Sequence, residues 1–367
     1  MQFLKAYCEN CPNISIYFLN FHKLTPFELV IFEKMQEQFI KYLKERAQDN
    51  TSFAEEVASV LDIGYDAAYR RINLKTNLSL EESVKLAKHY KISLNKLFEV
   101  GSPNTILADL SPPIHNKKGL EIWLNQSYNS VFPLTKLKSA SIIYSAKDIP
   151  LFHTLKDSYL SRYKIYVWLK DVDPEMTRNK VTFDDFIKNI PESMLESAFR
   201  LGEIYKDINI TEIWNNTTIN GSLQQVLYYF EAGALSKELS LKICDDIEDV
   251  IRHIEKQAIQ QSLIDSKTKA SYNLYINDIH TMSNTIMVKT PFQKVFFTPF
   301  TVISYFKIEH QPTCELMFEF FEKQMSISKL LVNAGEKDRS LFFNRMHQKI
   351  NRLRERIRID NDAFDFE

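Results

Sequence analysis

Glycine is scarce in this chain: seven residues in 367, at positions 64, 101, 119, 202, 221, 233 and 335. No two lie close enough to make a glycine-rich loop whose backbone approaches a phosphate. That spacing excludes dinucleotide-type and P-loop nucleotide sites. Cysteine is also sparse. Cys8 and Cys11 form a lone CxxC with no second pair and no histidine pair nearby, while Cys244 and Cys314 stand alone. A tetrahedral metal site needs more ligands than that, and reduced thiols in a cytoplasmic protein are the simpler reading. No uninterrupted apolar run approaches the roughly twenty residues that cross a bilayer. Lys5, Glu9, Asn10 and Pro12 break up the N-terminus where a signal peptide needs an apolar core. GxSxG, HExxH and paired CxxC signatures are missing, and the eight histidines fall at no ligand spacing. The sequence therefore predicts no enzyme, no metal, no cofactor and no membrane partner.

What is present points to helices around an aromatic core, since the chain holds 26 Phe and 17 Tyr beside its few glycines. Residues 52–98 organise the rest. Phe53, Val57, Val60 and Leu61 follow a three-and-four spacing that predicts one buried helical face. Asp62-Ile63-Gly64 breaks that run. A second helix over 65–73 then sets Ala68 and Ile72 one turn apart and inward. Ala58 is small where the two helices would cross. Helix, tight turn, helix is the helix-turn-helix layout, whose second helix enters the DNA major groove.

With Ala68 and Ile72 inward, a helix turning about 100° per residue brings Asp66, Arg70 and Asn73 to the opposite side, flanked by Tyr69. Arg70 has the fork that matches guanine N7 and O6, and Asn73 the amide that pairs with adenine. Asp66, four residues before Arg70, can orient the guanidinium or accept from cytosine. Base contacts are therefore expected from Asp66, Tyr69, Arg70 and Asn73, and phosphate contacts from Tyr65, Arg71 and Lys75. Between 64 and 96, seven Lys/Arg stand against Asp66, Glu81 and Glu82, a surplus of +4 in a chain of net charge −1. Local basic charge of this kind fits phosphate contact.

Ala58, the turn Leu61-Asp62-Ile63-Gly64, the helix 66–72, Leu78-Ser79-Leu80-Glu81-Glu82, Leu86-Ala87-Lys88-His89-Tyr90 and Ile92-Ser93-Leu94 resemble the Cro/phage-repressor-type (XRE-like) helix-turn-helix regulators. The resemblance implies a five-helix domain over 35–100, with Ser79 as an N-cap. This chain has Asp62 where the family often has Gly in the turn, and Ala54 where it often has a Gln that contacts phosphate. The second departure removes that contact.

Residues 26–48 carry Ile31, Phe32, Met35, Phe39, Ile40 and Leu43 at helical spacing and predict the first helix. The leader 1–34 lacks a clean period. Met35 is read as the physiological start, with 1–34 as an N-terminal extension and a packed arm as the rival. Prolines and glycines over 101–119, including Pro112-Pro113, mark a linker. Residues 120–359 read as an α-rich regulatory body, with 139–147 ambiguous between helix and strand. Alternating runs near 272–306 predict three strands of a small antiparallel sheet. The acidic group Asp245, Asp246, Glu248, Asp249 with His253 scatters around one helix and reads as a solvated face rather than metal ligands. In the last helix Phe342, Met346, Ile350, Leu353 and Ile357 form about two heptads of a seam. Its start, 335–344 (GEKDRSLFFN), resembles a stretch in bacterial regulators with this N-terminal motif. An acidic tail covers 360–367.

The expected fold is mainly α: a helix-turn-helix domain and a larger α-rich domain with a small antiparallel sheet. The expected function is sequence-specific transcription regulation in the cytoplasm. Expected partners are double-stranded DNA, a second copy of the chain, with the final helix as its seam, and a small-molecule or peptide effector. The competing reading is a helical module that binds a peptide or protein and leaves DNA alone.

Overall fold

Apolar residues at helical spacing build the first part of the protein. In the computed structural model, which describes residues 26–47, 52–98, 105–279, 283–332 and 336–359, the helices are α1 (Pro26–Lys44), α2 (Phe53–Leu61), α3 (Tyr65–Ile72), α4 (Leu80–His89) and α5 (Leu94–Phe98). Phe39 and Leu43 of α1 join Val57, Leu61, Ala68, Ile72 and Leu86 in one buried cluster. Residues 1–25, with Cys8 and Cys11, lie outside the described residues, as does the tail 360–367. Helix α1 begins at Pro26 and runs through Met35.

The chain divides into two units, Met1–Thr105 and Ile106–Glu367. The second unit holds in order β1 (Ala108–Leu110), α6 (Lys117–Val131) with a 3-10 turn (Phe132–Lys136), β2 (Ser141–Ser145), α7 (Leu151–Thr154), α8 (Tyr159–Val172), α9 (Pro174–Arg178), α10 (Phe183–Phe186) and α11 (Glu192–Tyr205). It continues with β3 (Asn209–Trp214), α12 (Asn220–Glu231), α13 (Lys237–Gln260), β4 (Tyr272–Ile276), β5 (Thr285–Lys289), β6 (Lys294–Pro299), β7 (Tyr305–Ile308), α14 (Gln311–Ser326), β8 (Lys329–Leu330) and α15 (Glu336–Ile359).

The strands form a single eight-stranded sheet in the order β1-β7-β6-β5-β2-β3-β4-β8. Strands β2, β3 and β4 are parallel, and every other pairing is antiparallel. This overturns the expected mainly-α body with a small antiparallel sheet: the body is α/β, and its sheet is mixed. Strands β1, β3 and β8 (Lys329–Leu330) all lie outside the expected strands. Residues 209–214 fall within the expected α-rich body, yet β3 pairs with both β2 and β4 in the sheet interior. Glu212 is fully buried in mid-strand, on the same side as Ile210 and Trp214, so polarity does not mark a solvent face and the alternation that would reveal the strand is lost. Residues 108–110, read as linker, pair with β7 as β1.

The two faces of the sheet are distinct. Ile143, Ile213, Met287, Phe296 and Ile308 point to one side and pack with Cys314 and Phe321 of α14. Ile142, Ile210, Trp214, Tyr272 and Leu274 point to the other, where α8, α11 and α13 cover the β2-β3-β4 half. The last helix corrects a second expectation. Phe342, Met346, Ile350, Leu353 and Ile357 are all buried within the chain, where α15 packs on α13 and α12. The heptad-like seam is therefore used inside the protein and is not available to a second copy. Its Arg354 also reaches across to Asp245 at 2.7 Å and Glu248 at 2.5 Å. The acidic stretch of α13 is thus tied to α15 rather than wholly solvated.

Candidate functional site

The turn into α3 depends on a residue in an unusual conformation. Asp62 closes α2 in the left-handed region, with φ 57° and ψ 51°, and Ile63 N donates to Ala58 O at 3.0 Å. Glycine suits that conformation best, but a short polar side chain tolerates it. That explains how Asp62 serves where a glycine is common.

Buried Ala68 and Ile72 fix the roll of α3 and leave its other edge outside. Asp66, Tyr69, Arg70 and Asn73 are exposed, as are Tyr65 and Lys75. The rings of Tyr65 and Tyr69 stack with centroids 6.3 Å apart. The Asn73 amide donates to Tyr69 O at 2.9 Å. No ion pair joins Asp66 to Arg70 among the described residues, so the expected orienting contact is not formed here. Lys85, Lys88 and Lys91 are also exposed nearby in sequence.

Arg71 is unlike the rest of this group. Its side chain is only 19% exposed and grips Glu82 through Nη2 at 2.8 Å and through Nε at 3.0 and 3.1 Å. Its Nη1 donates to Ala67 O at 3.1 Å. Glu82 is also the reciprocal partner of Ser79 in a capping box: Glu82 N donates to Ser79 Oγ, and Ser79 N donates to Glu82 Oε2. One carboxylate therefore starts α4 and holds α3 against it. The Arg71 guanidinium, helped by the Ser79 amide, draws the Glu82 carboxyl below its ordinary range despite partial burial. Arg71, expected at phosphate, is engaged in this bracing contact.

Gln36 of α1 was missed. Its Nε2 donates to Arg71 O and Thr76 O, both at 3.0 Å, and its Oε1 accepts from Leu78 N at 3.0 Å. One amide thereby satisfies three backbone groups in the segment leaving α3. Nothing local in the sequence marks it, because its partners lie 35 to 42 positions away.

In the second unit, a cavity of about 660 Å³ opens over the β5-β6-β7 half of the sheet. Tyr144, Phe152, Trp123 and Trp168 contribute aromatic wall. Lys164, itself buried, points its ammonium at Asp148 (3.0 Å), Ser222 (2.7 Å) and Gln225 (3.3 Å). Ser222 donates onward to Asp148 at 2.7 Å. All three ammonium protons have acceptors, so this cluster is a closed structural network rather than a poised nucleophile. Burial holds the Tyr144 phenol well above its ordinary pKa, and it stays protonated.

Another buried group sits mid-strand in β3. Glu212 is fully buried and pairs with His153 Nε2 at 2.7 Å and the Trp214 indole at 2.5 Å. His153 borders a smaller cavity of about 260 Å³ that also contains His253. Burial first, then the positive charge of His153, Lys156 and Lys206, pushes the His253 imidazole down to about 4. Among the described residues, no group of three His, Cys, Asp or Glu side chains could hold a metal ion. No described helix is long and apolar enough to cross a membrane. Cys244 and Cys314 are free thiols, both buried.

Comparison with known proteins adds no relative: no protein-family model, no curated protein and no solved structure matches this chain.

Proposed function

We propose that this protein is a cytoplasmic, sequence-specific DNA-binding transcription regulator that reads the major groove with α3. The observation that carries the reading is the exposed edge of α3. Asp66, Tyr69, Arg70 and Asn73 share it, while Ala68 and Ile72 on the opposite edge anchor the helix. Arg70 engages guanine through its guanidinium, and Asn73 engages adenine once its amide leaves Tyr69 O. Tyr65 and Lys75 reach phosphates. Arg71, held by Glu82, keeps α3 at its angle to α4. Two copies set two such helices about 34 Å apart on successive half-sites.

Binding of the full chain to a selected operator, followed with increasing salt, tests this. Affinity is expected to fall steeply as bound counterions are released. Arg70→Ala is expected to cost about 1–3 kcal/mol and to relax the preference at one base position, whereas Lys75→Ala weakens all sequences alike. An unchanged operator affinity for Arg70→Ala removes α3 from the groove. Binding to a protein or peptide with no affinity for any duplex makes the chain a helical interaction module instead.

A further inference from the structure

The cavity over β5-β6-β7 has a cause in the sheet. Ile142 and Tyr144 of β2, Ile286 and Val288 of β5, Val295 and Phe297 of β6, and Tyr305 of β7 present side chains to it. These belong to the same face that α8, α11 and α13 cover over β2, β3 and β4. Over β5-β7 the helical cover thins to α6, whose Trp123, Gln126, Ser127 and Ser130 form the opposing wall. One face of a single sheet is thus packed solid at one end and hollow at the other. About 660 Å³ falls within the roughly 300–1,000 Å³ of small-molecule sites, which are mainly apolar and aromatic with a few polar groups.

The charges on the wall decide what fits. Lys164 is consumed by Asp148, Ser222 and Gln225. Lys307 pairs with Glu309 at 2.6 Å, and Asp109 is engaged within the protein as well. Lys307 and Glu309 lie at the open rim, 40% and 24% exposed, so the buried end decides: a charged ligand there would lose its hydration and find Lys164 and Asp148 already committed to each other. Polar capacity comes instead from the neutral side chains of Gln126, Ser127 and Ser130, beside the aromatic rings.

We infer that this cavity is a binding site for an uncharged, aromatic small organic molecule, held between α6 and the β5-β7 half of the sheet. This inference does not rest on the DNA-binding reading and survives its failure.

Two probes with one ring system separate the alternatives. N-phenyl-1-naphthylamine is uncharged, and 8-anilino-1-naphthalenesulfonate is the same skeleton carrying a sulfonate. Both brighten when they leave water. Titrated into the full chain, the uncharged probe is expected to bind at one site per chain, with the sulfonate at least tenfold weaker. Ser127→Trp on α6 and Val288→Trp on β5 fill the cavity from opposite walls. Each is expected to weaken the uncharged probe at least tenfold, and the second variant answers the question if the first does not fold. Equal or tighter binding of the sulfonate overturns the ligand class. Binding of the uncharged probe that ignores the filling variants, or that never saturates at one per chain, overturns the site.

Discussion

The side-chain amide of Gln36 on α1 accepts the backbone N–H of Leu78 at 3.0 Å while donating to the carbonyls of Arg71 and Thr76. The segment leaving α3 is therefore fixed by a residue from the other end of the unit. Helix α3 needs such support, because its own core contacts are few: Ala68 and Ile72 are its buried residues.

Replacing that amide tests the point. Gln36→Leu keeps most of the volume and removes three hydrogen bonds; Thr76 O and Leu78 N–H lose this partner, while Arg71 O keeps the Leu74 N–H. A loss of about 1–3 kcal/mol is expected. Hydrogen exchange at the Leu78 amide should quicken, and operator affinity should fall although Gln36 is not expected to contact DNA. Unchanged exchange at Leu78 would mean that the loop does not depend on this clamp.

The Arg71–Glu82 contact makes the first unit sensitive to acid. The Glu82 pKa is lower in the folded protein than its ordinary value of 4.5. Its contribution is therefore present in full above about 4.5 and is lost as the pH falls through the lower, folded value. Glu82→Gln should lower stability by about 1 kcal/mol at neutral pH, and the gap to the unsubstituted protein should close below pH 4.5. Urea unfolding at several pH values measures both. A gap that persists undiminished in acid would assign the effect to packing rather than charge.

Gly202 lies where α11 meets the end of α7. A Cβ there would fall 2.0 Å from Leu155 O and 2.9 Å from Leu155 Cβ, so backbone would have to move. Alanine ordinarily favours a helix over glycine by up to about 1 kcal/mol. Overpacking of about 1–3 kcal/mol outweighs that gain, and Gly202→Ala should lower the melting temperature. A rise would show that the two segments can separate without loss.

The seam of α15 is the last test. Ile350 is fully buried among α12, α13 and α15 residues. Ile350→Ala should cost about 2–5 kcal/mol of stability and leave the oligomeric state, read by light scattering, as it was. A changed oligomeric state with unchanged stability would return the seam to the interface between copies.

The sequence alone determined the helices of the first unit, because their apolar spacing and the break at Asp62-Ile63-Gly64 are local signals. It also determined which edge of α3 faces outward, since burying Ala68 and Ile72 leaves no other roll. Within the body, Pro191 stands just before α11 and Gly233, with φ +67°, between α12 and α13, boundary signals of the same local kind. Only the tertiary structure decided that Arg71 belongs to Glu82, that Gln36 clamps the exit from α3, and that 209–214 is a strand inside a mixed eight-stranded sheet. These depend on pairings between residues far apart in the chain. Patterning reports which side of an element is apolar, but not which partner will cover it, nor where a sheet face will be left open as a cavity.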